Sequence, residues 1–140
     1  MQSGIWAEAH GAIVHFPIAF SLCSLAFDGA ALALRSRPVS RELHAVGYWT
    51  LLTGALGSIG AVISGLFMTR GGLLGHGALR LHHLFVWPSF SLIIGLATWR
   101  LITGQRMTQR AFLGYLGAMA FTAALISIAG YWGGALMTAI

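Results

Sequence analysis

Apolar residues along this chain fall into four long blocks separated by short polar or glycine-rich breaks. The blocks run from about Gly11 to Leu34, Ala45 to Met68, Leu81 to Ile102 and Phe112 to Trp132. A helix that crosses a bilayer needs about 20 mostly apolar residues, and each block meets that length. The breaks, Arg35-Ser-Arg-Pro38, Gly71-Gly-Leu-Leu-Gly-His-Gly77 and Thr103-Gly-Gln-Arg106, have turn composition. None is long enough for a second domain or a flexible linker. The first block lacks a basic leading segment, is long for a signal peptide, and carries His15 and Asp28, so it reads as structure. The pattern therefore predicts an all-α integral membrane protein. It is a four-transmembrane-helix bundle forming a single domain over residues 1–140.

Composition sharpens this picture. Of the 140 residues 57% are hydrophobic and 8% charged, against roughly a quarter charged in soluble domains. All eight basic residues are arginines, and the acids are Glu8, Asp28 and Glu42. A nucleic-acid surface would need many more exposed polar residues, so no nucleic-acid partner is expected; the partner is the lipid bilayer. The lone Cys23 can build neither an internal disulfide nor a zinc site.

Arginine placement gives an orientation. Arg35, Arg37 and Arg41 lie in or beside the first break, and Arg100, Arg106 and Arg110 in or beside the third. The second holds Arg70 and Arg80, and the terminal segments hold no arginine. By the positive-inside rule the first and third connections are cytoplasmic. Both termini and the glycine-rich second connection then lie outside.

The blocks also suggest two hairpins in tandem. Phe16-Pro-Ile-Ala-Phe-Ser-Leu22 echoes Trp87-Pro-Ser-Phe-Ser-Leu92, and Ile63-Ser-Gly-Leu-Phe67 echoes Ile128-Ala-Gly-Tyr-Trp132. Such a repeat implies a two-fold pseudo-axis along the membrane normal, with a ligand site at the interface of the halves.

Six histidines are many for so apolar a chain. His10, His15, His76, His82 and His83 belong to the outer side of this topology, and His44 alone to the cytoplasmic side. Imidazole suits haem iron, copper and zinc. Copper or zinc wants three or four converging ligands, and His10 and His15, five apart, point about 140° apart on a helix. Haem needs one or two axial ligands from facing helices, which His15 with His82 or His83 can supply. The spacing of the third-helix stripe His83, Trp87, Ser91, Gly95, Thr98 favours His83 as interior. Phe16, Phe85, Trp87 and Trp132 offer walls, Gly54, Gly57, Gly60 and Gly65 offer room, and Arg70 and Arg80 offer partners for propionates. Each has a plainer reading. The histidines can bond headgroups or carbonyls, the glycines can serve helix packing, and the tryptophans can be interfacial anchors. Asp28 lies about 20 Å below His15 at helical rise, too deep to join it, and is expected to pair with Arg35 or Arg37.

The stretch His10-Gly-Ala-Ile-Val-His15-Phe-Pro-Ile-Ala19 resembles the opening of small bacterial membrane proteins grouped as domain-of-unknown-function family 2231, with its His-Pro-x-x-Val-His-Phe-Pro-like motif. Gly11 stands where that family often has proline. Its third-helix histidine is matched best by His82, through its spacing to Arg80 and Arg100. Tyr131-Trp-Gly-Gly134 is similar to its C-terminal Gly-Gly motif, without the polar tail that often follows. The resemblance implies a four-helix, multi-pass protein of the bacterial inner (cytoplasmic) membrane. It implies no established activity, though some relatives accompany redox modules such as Rieske proteins.

The leading expectation is a small haem b protein, an electron-transfer or binding subunit rather than a self-sufficient enzyme. His15 and His82, or His83 in its place, would be the axial ligands, and the redox partner would be periplasmic or in the membrane. The alternatives are a structural or scaffolding subunit without cofactor, and a copper- or zinc-binding protein using His10, His76 and the paired histidines. A homo-oligomer is left open.

Overall fold

The computed structural model describes residues 2–104 and 106–138; Gln105 of the third break lies outside them. Among the described residues five helices appear, in the order α1 (Gln2–Ile13), α2 (His15–Ala33), α3 (Val39–Met68), α4 (Ala78–Thr103) and α5 (Gln109–Thr138). Four stretches are long and apolar enough to cross a membrane: Gly4–Ala33, Val39–Met68, Ala78–Thr103 and Gln109–Leu136.

The first span is α1 and α2 together. The break at Val14 follows from Pro17, which has no N–H to offer the Ile13 carbonyl one turn back. Val14 keeps right-handed helical angles, so the chain runs on with little change of course. Every span is longer than its apolar block, because polar flanks such as Val39–His44 stay helical beyond the hydrocarbon. There a helix still satisfies every backbone group that water would otherwise have to reach. Gly104 closes α4 with φ of 58° and ψ of −137°, a combination open to glycine and not to residues with a Cβ.

Packing follows the chain. The α2–α3 and α4–α5 hairpins make the most extensive contacts, and α2–α5 and α3–α4 join them into a ring. The centre, around Leu51, Ile93, Leu96, Phe112, Tyr115, Met119 and Ile126, is interleaved with Ser21, Ser24, Ser58, Ser64, Ser89 and Thr122, all buried. Large apolar side chains such as Leu56, Ile102 and Phe121 point outward, where lipid would cover them. Membrane bundles have this distribution because lipid solvates leucine as well as a core does, leaving close packing and hydrogen bonds to hold helices together.

The two halves repeat, in a register set by burial rather than by the short sequence echoes. Buried positions 17, 21, 24 and 28 of α2 return 72 residues later as buried positions 89, 93, 96 and 100 of α4. Buried positions 47, 51, 54, 55, 58 and 61 of α3 return 68 residues later as 115, 119, 122, 123, 126 and 129 of α5. The echoes of Phe16-Pro17 in Trp87-Pro88 and of Ile63 in Ile128 are one and three residues out of this register. The stripe read along the third helix is also displaced: Ser91, Gly95 and Thr98 are exposed, and the buried face runs His83, Ser89, Ile93, Leu96, Arg100.

Candidate functional site

The histidines and charged residues gather at the two ends of the ring. At one end His10, His15, His82 and His83 line a cavity of about 380 Å³ between the hairpins. Its other walls are mostly apolar and include Ile18, Val62, Leu66, Val86, Phe90, Ile93 and Ile126.

Two of these imidazoles are held in the same way. His10 Nδ1 is 3.0 Å from the Ala61 carbonyl oxygen and 3.0 Å from Ser64 Oγ. His82 Nδ1 is 2.8 Å from the Ala129 carbonyl oxygen. A carbonyl only accepts, so Nδ1 donates in both rings and Nε2 of the neutral imidazole is left with a lone pair. Nε2 makes no hydrogen bond in either ring among the described residues. Each ring also lies against a glycine four residues after its carbonyl partner. A Cβ at Gly65 would stand 3.1 Å from His10 Cε1, and one at Gly133 3.2 Å from His82 Cε1. Histidine, carbonyl and glycine thus recur in both hairpins, in the 72- and 68-residue register of the fold. The His82 and His83 ring centroids are 5.7 Å apart.

His83 is buried and its Nδ1 has no hydrogen-bond partner among the described residues; its ring centroid is 6.4 Å from that of Trp87. His15 lines the cavity but is exposed, and no hydrogen bond fixes its ring among the described residues. Trp87 is in the wall and donates from Nε1 to the Leu73 carbonyl at 2.9 Å, tying the second connection down beside the cavity. Phe16, Phe85, Trp132 and His76 are not in the lining, and Arg70 and Arg80 are exposed at the same end without entering it. Gly54 and Gly57 leave no slot: Phe20 packs on the first, and Phe16 and Pro17 on the second. Among the described residues no group of three or more His, Cys, Asp or Glu side chains is gathered so as to hold a metal ion.

The other end is closed by charge. Asp28 is fully buried and accepts from Arg100 Nη1 and from Tyr115 Oη on Oδ2, and from Arg100 Nη2 at 2.8 Å and His44 Nδ1 at 3.2 Å on Oδ1. Arg100 Nη1 also reaches Tyr115 Oη at 2.7 Å and Nη2 the His44 carbonyl at 3.1 Å. Ser24 Oγ donates to the Gly47 carbonyl and lies 3.2 Å from Tyr115 Oη. A Cβ on Gly47 would stand 2.6 Å from the Asp28 carboxylate, so only glycine lets α3 pass this close. All four spans meet in this cluster.

The expected pairing of Asp28 with Arg35 or Arg37 is thereby corrected. Asp28 lies on the buried face of α2, whereas both arginines follow the end of that helix and are exposed. The sequence reading missed Arg100 as the partner, using it only for topology and for the spacing to His82. The signal was available in its spacing: Asp28 and Arg100 are 72 apart, as His10 and His82 are.

A family described as a predicted membrane protein, DUF2231, matches residues 7–139. The chain belongs to this family. DUF2231 membership bears out the resemblance read from the opening histidine motif, and it covers both ends of the bundle. No curated protein and no solved structure shows significant similarity to the chain.

Proposed function

We propose that the histidine end binds haem b between the hairpins, with His10 and His82 as axial ligands. On this reading the protein is an electron-transfer subunit of a bacterial inner membrane, serving a redox partner on the outer face. The supporting observation is the matched pair of imidazoles. Each comes from a different hairpin, is fixed through Nδ1 on a helix carbonyl, and keeps its Nε2 lone pair beside one apolar cavity. A backbone acceptor on the distal nitrogen is how ligating histidines are oriented and made more basic. Two fixed ligands in an apolar space suit haem, whereas zinc or copper held by side chains wants three or four. Arg70 and Arg80 supply positive charge at that end for propionates. His10 takes the place given to His15 from sequence, because His10 has a fixed ring and His15 does not.

The test is optical. The protein purified from haem-supplied cells should show a low-spin Soret spectrum. His10→Ala and His82→Ala should each convert it to high spin or abolish it, and His15→Ala should leave it low-spin. A folded parent protein that never carries haem under these conditions ends the proposal in favour of a structural role. Low-spin haem that survives His10→Ala ends the ligand assignment.

A further inference from the structure

The arginine end carries a second concavity that the haem reading does not use. It holds about 290 Å³, at the small end of ligand sites, and is lined by Arg35, His44, Arg100 and Gln109 with Leu32 and Phe112 among its apolar walls. Among the described residues no carboxylate is in that lining. Asp28 sits behind Arg100 with its donors already in place. Glu42 is exposed elsewhere at that end. The Arg35 guanidinium and the Gln109 side-chain amide have no hydrogen-bond partner among the described residues, so both have N–H donors free to meet an anion. Arg37, Arg41, Arg106 and Arg110, all exposed at the same end, add to the positive potential.

We propose that this vestibule binds the phosphate of an anionic phospholipid headgroup from the cytoplasmic leaflet, with Arg35 and Gln109 as its donors and Arg100 as its floor. The chemistry required is that of a phosphate anion, and the surroundings select a lipid as its source. Arginine placement puts the vestibule at the inner headgroup layer, and the exposed apolar residues Leu34, Leu101 and Ile102 at the same end supply a surface for acyl chains. Basic pockets between helices on the cytoplasmic side hold anionic headgroups for these reasons.

The test uses the full chain in nanodiscs and lipid-retention mass spectrometry, with phosphatidylglycerol and phosphatidylcholine as probes and inorganic phosphate as competitor. The parent should prefer phosphatidylglycerol, and Arg35→Gln should weaken the preference about fivefold, the loss of one basic contact near the surface. Gln109→Ala should weaken it less. Arg41→Gln, an exposed arginine outside the lining, should change it little. Circular dichroism and thermal unfolding establish that the variants fold, and Arg35, being exposed, should be tolerated. Three results overturn the proposal: no preference in the parent, an equal loss in Arg41→Gln, which would mean diffuse surface charge, or displacement of the lipid by millimolar phosphate, which would make free phosphate the ligand.

Discussion

The two ends of this bundle are built from equivalent positions and come out opposite. At the histidine end, positions 10 and 82 carry the same residue. Neither imidazole bonds the other, and each turns to a carbonyl within its own hairpin. The hairpins are left apart, with a cavity between them. At the arginine end, positions 28 and 100 carry opposite charges. They meet across the hairpins and bring Tyr115 and His44 with them. One repeat thus yields an open end and a locked end, according to whether its two copies carry like or complementary side chains. Intramembrane ionisable groups are costly and usually have a role, and here the role differs by end. Asp28 and Arg100 join the halves, whereas His10 and His82 each use Nδ1 within their own hairpin and leave Nε2 without a hydrogen bond among the described residues.

The comparison can be broken most severely at the locked end. Asp28→Ala leaves the Arg100 guanidinium buried without its counter-charge, and the expected loss is about 3–5 kcal/mol. Unfolding in mixed micelles by SDS titration measures it. Replacing both members by apolar residues, Asp28→Leu with Arg100→Leu, should recover much of that loss. A double variant as unstable as the single would show that Arg100 is not the partner that matters. Gly47→Ala forces a methyl group into the Asp28 carboxylate, and overpacking of this kind costs about 1–3 kcal/mol. Gly95→Ala, where an added Cβ meets nothing within 4 Å, is the control and should be neutral.

Tyr115→Phe sharpens the comparison further. It removes the hydroxyl that donates to Asp28 and accepts from Arg100, while the ring stays packed among Trp99 and Phe112. The expected cost is about 1–3 kcal/mol, since hydrogen bonds to charged groups are lost. The smallest stability effect belongs to the open end. His10→Ala and His82→Ala each remove one imidazole–carbonyl hydrogen bond, about 1 kcal/mol or less, by the same SDS titration of the cofactor-free protein. If either variant destabilises as strongly as Asp28→Ala, the histidine end is a structural lock and the two ends do not differ in this respect.

Much of the architecture was legible along the chain. Block length gave the four spans because the thickness of the bilayer fixes how many apolar residues a helix must carry. The opening histidine motif gave the family. Helix direction placed His10, His15, His76, His82 and His83 at one end; four of them line the cavity there and His76 does not. Helix faces were harder to read. In lipid the outward face is as apolar as the inward one, so hydrophobic spacing does not say which side of a helix is buried. That is why spacing groups the exposed Ser91, Gly95 and Thr98 with the buried His83, and why short echoes set the repeat out of register.

What the sequence by itself determined, then, is the number of spans, their order and the chemistry available at each end. The tertiary structure decided which groups meet. Asp28 finds Arg100 rather than the nearer Arg35 because the buried face of α2, not distance along the chain, selects its partner. His10 and His82 acquire fixed rings because α3 and α5 each place a carbonyl and a glycine opposite them. Such pairings need two helices at a given rotation and height, and rotation is set by packing among all four spans at once. No single span carries that information.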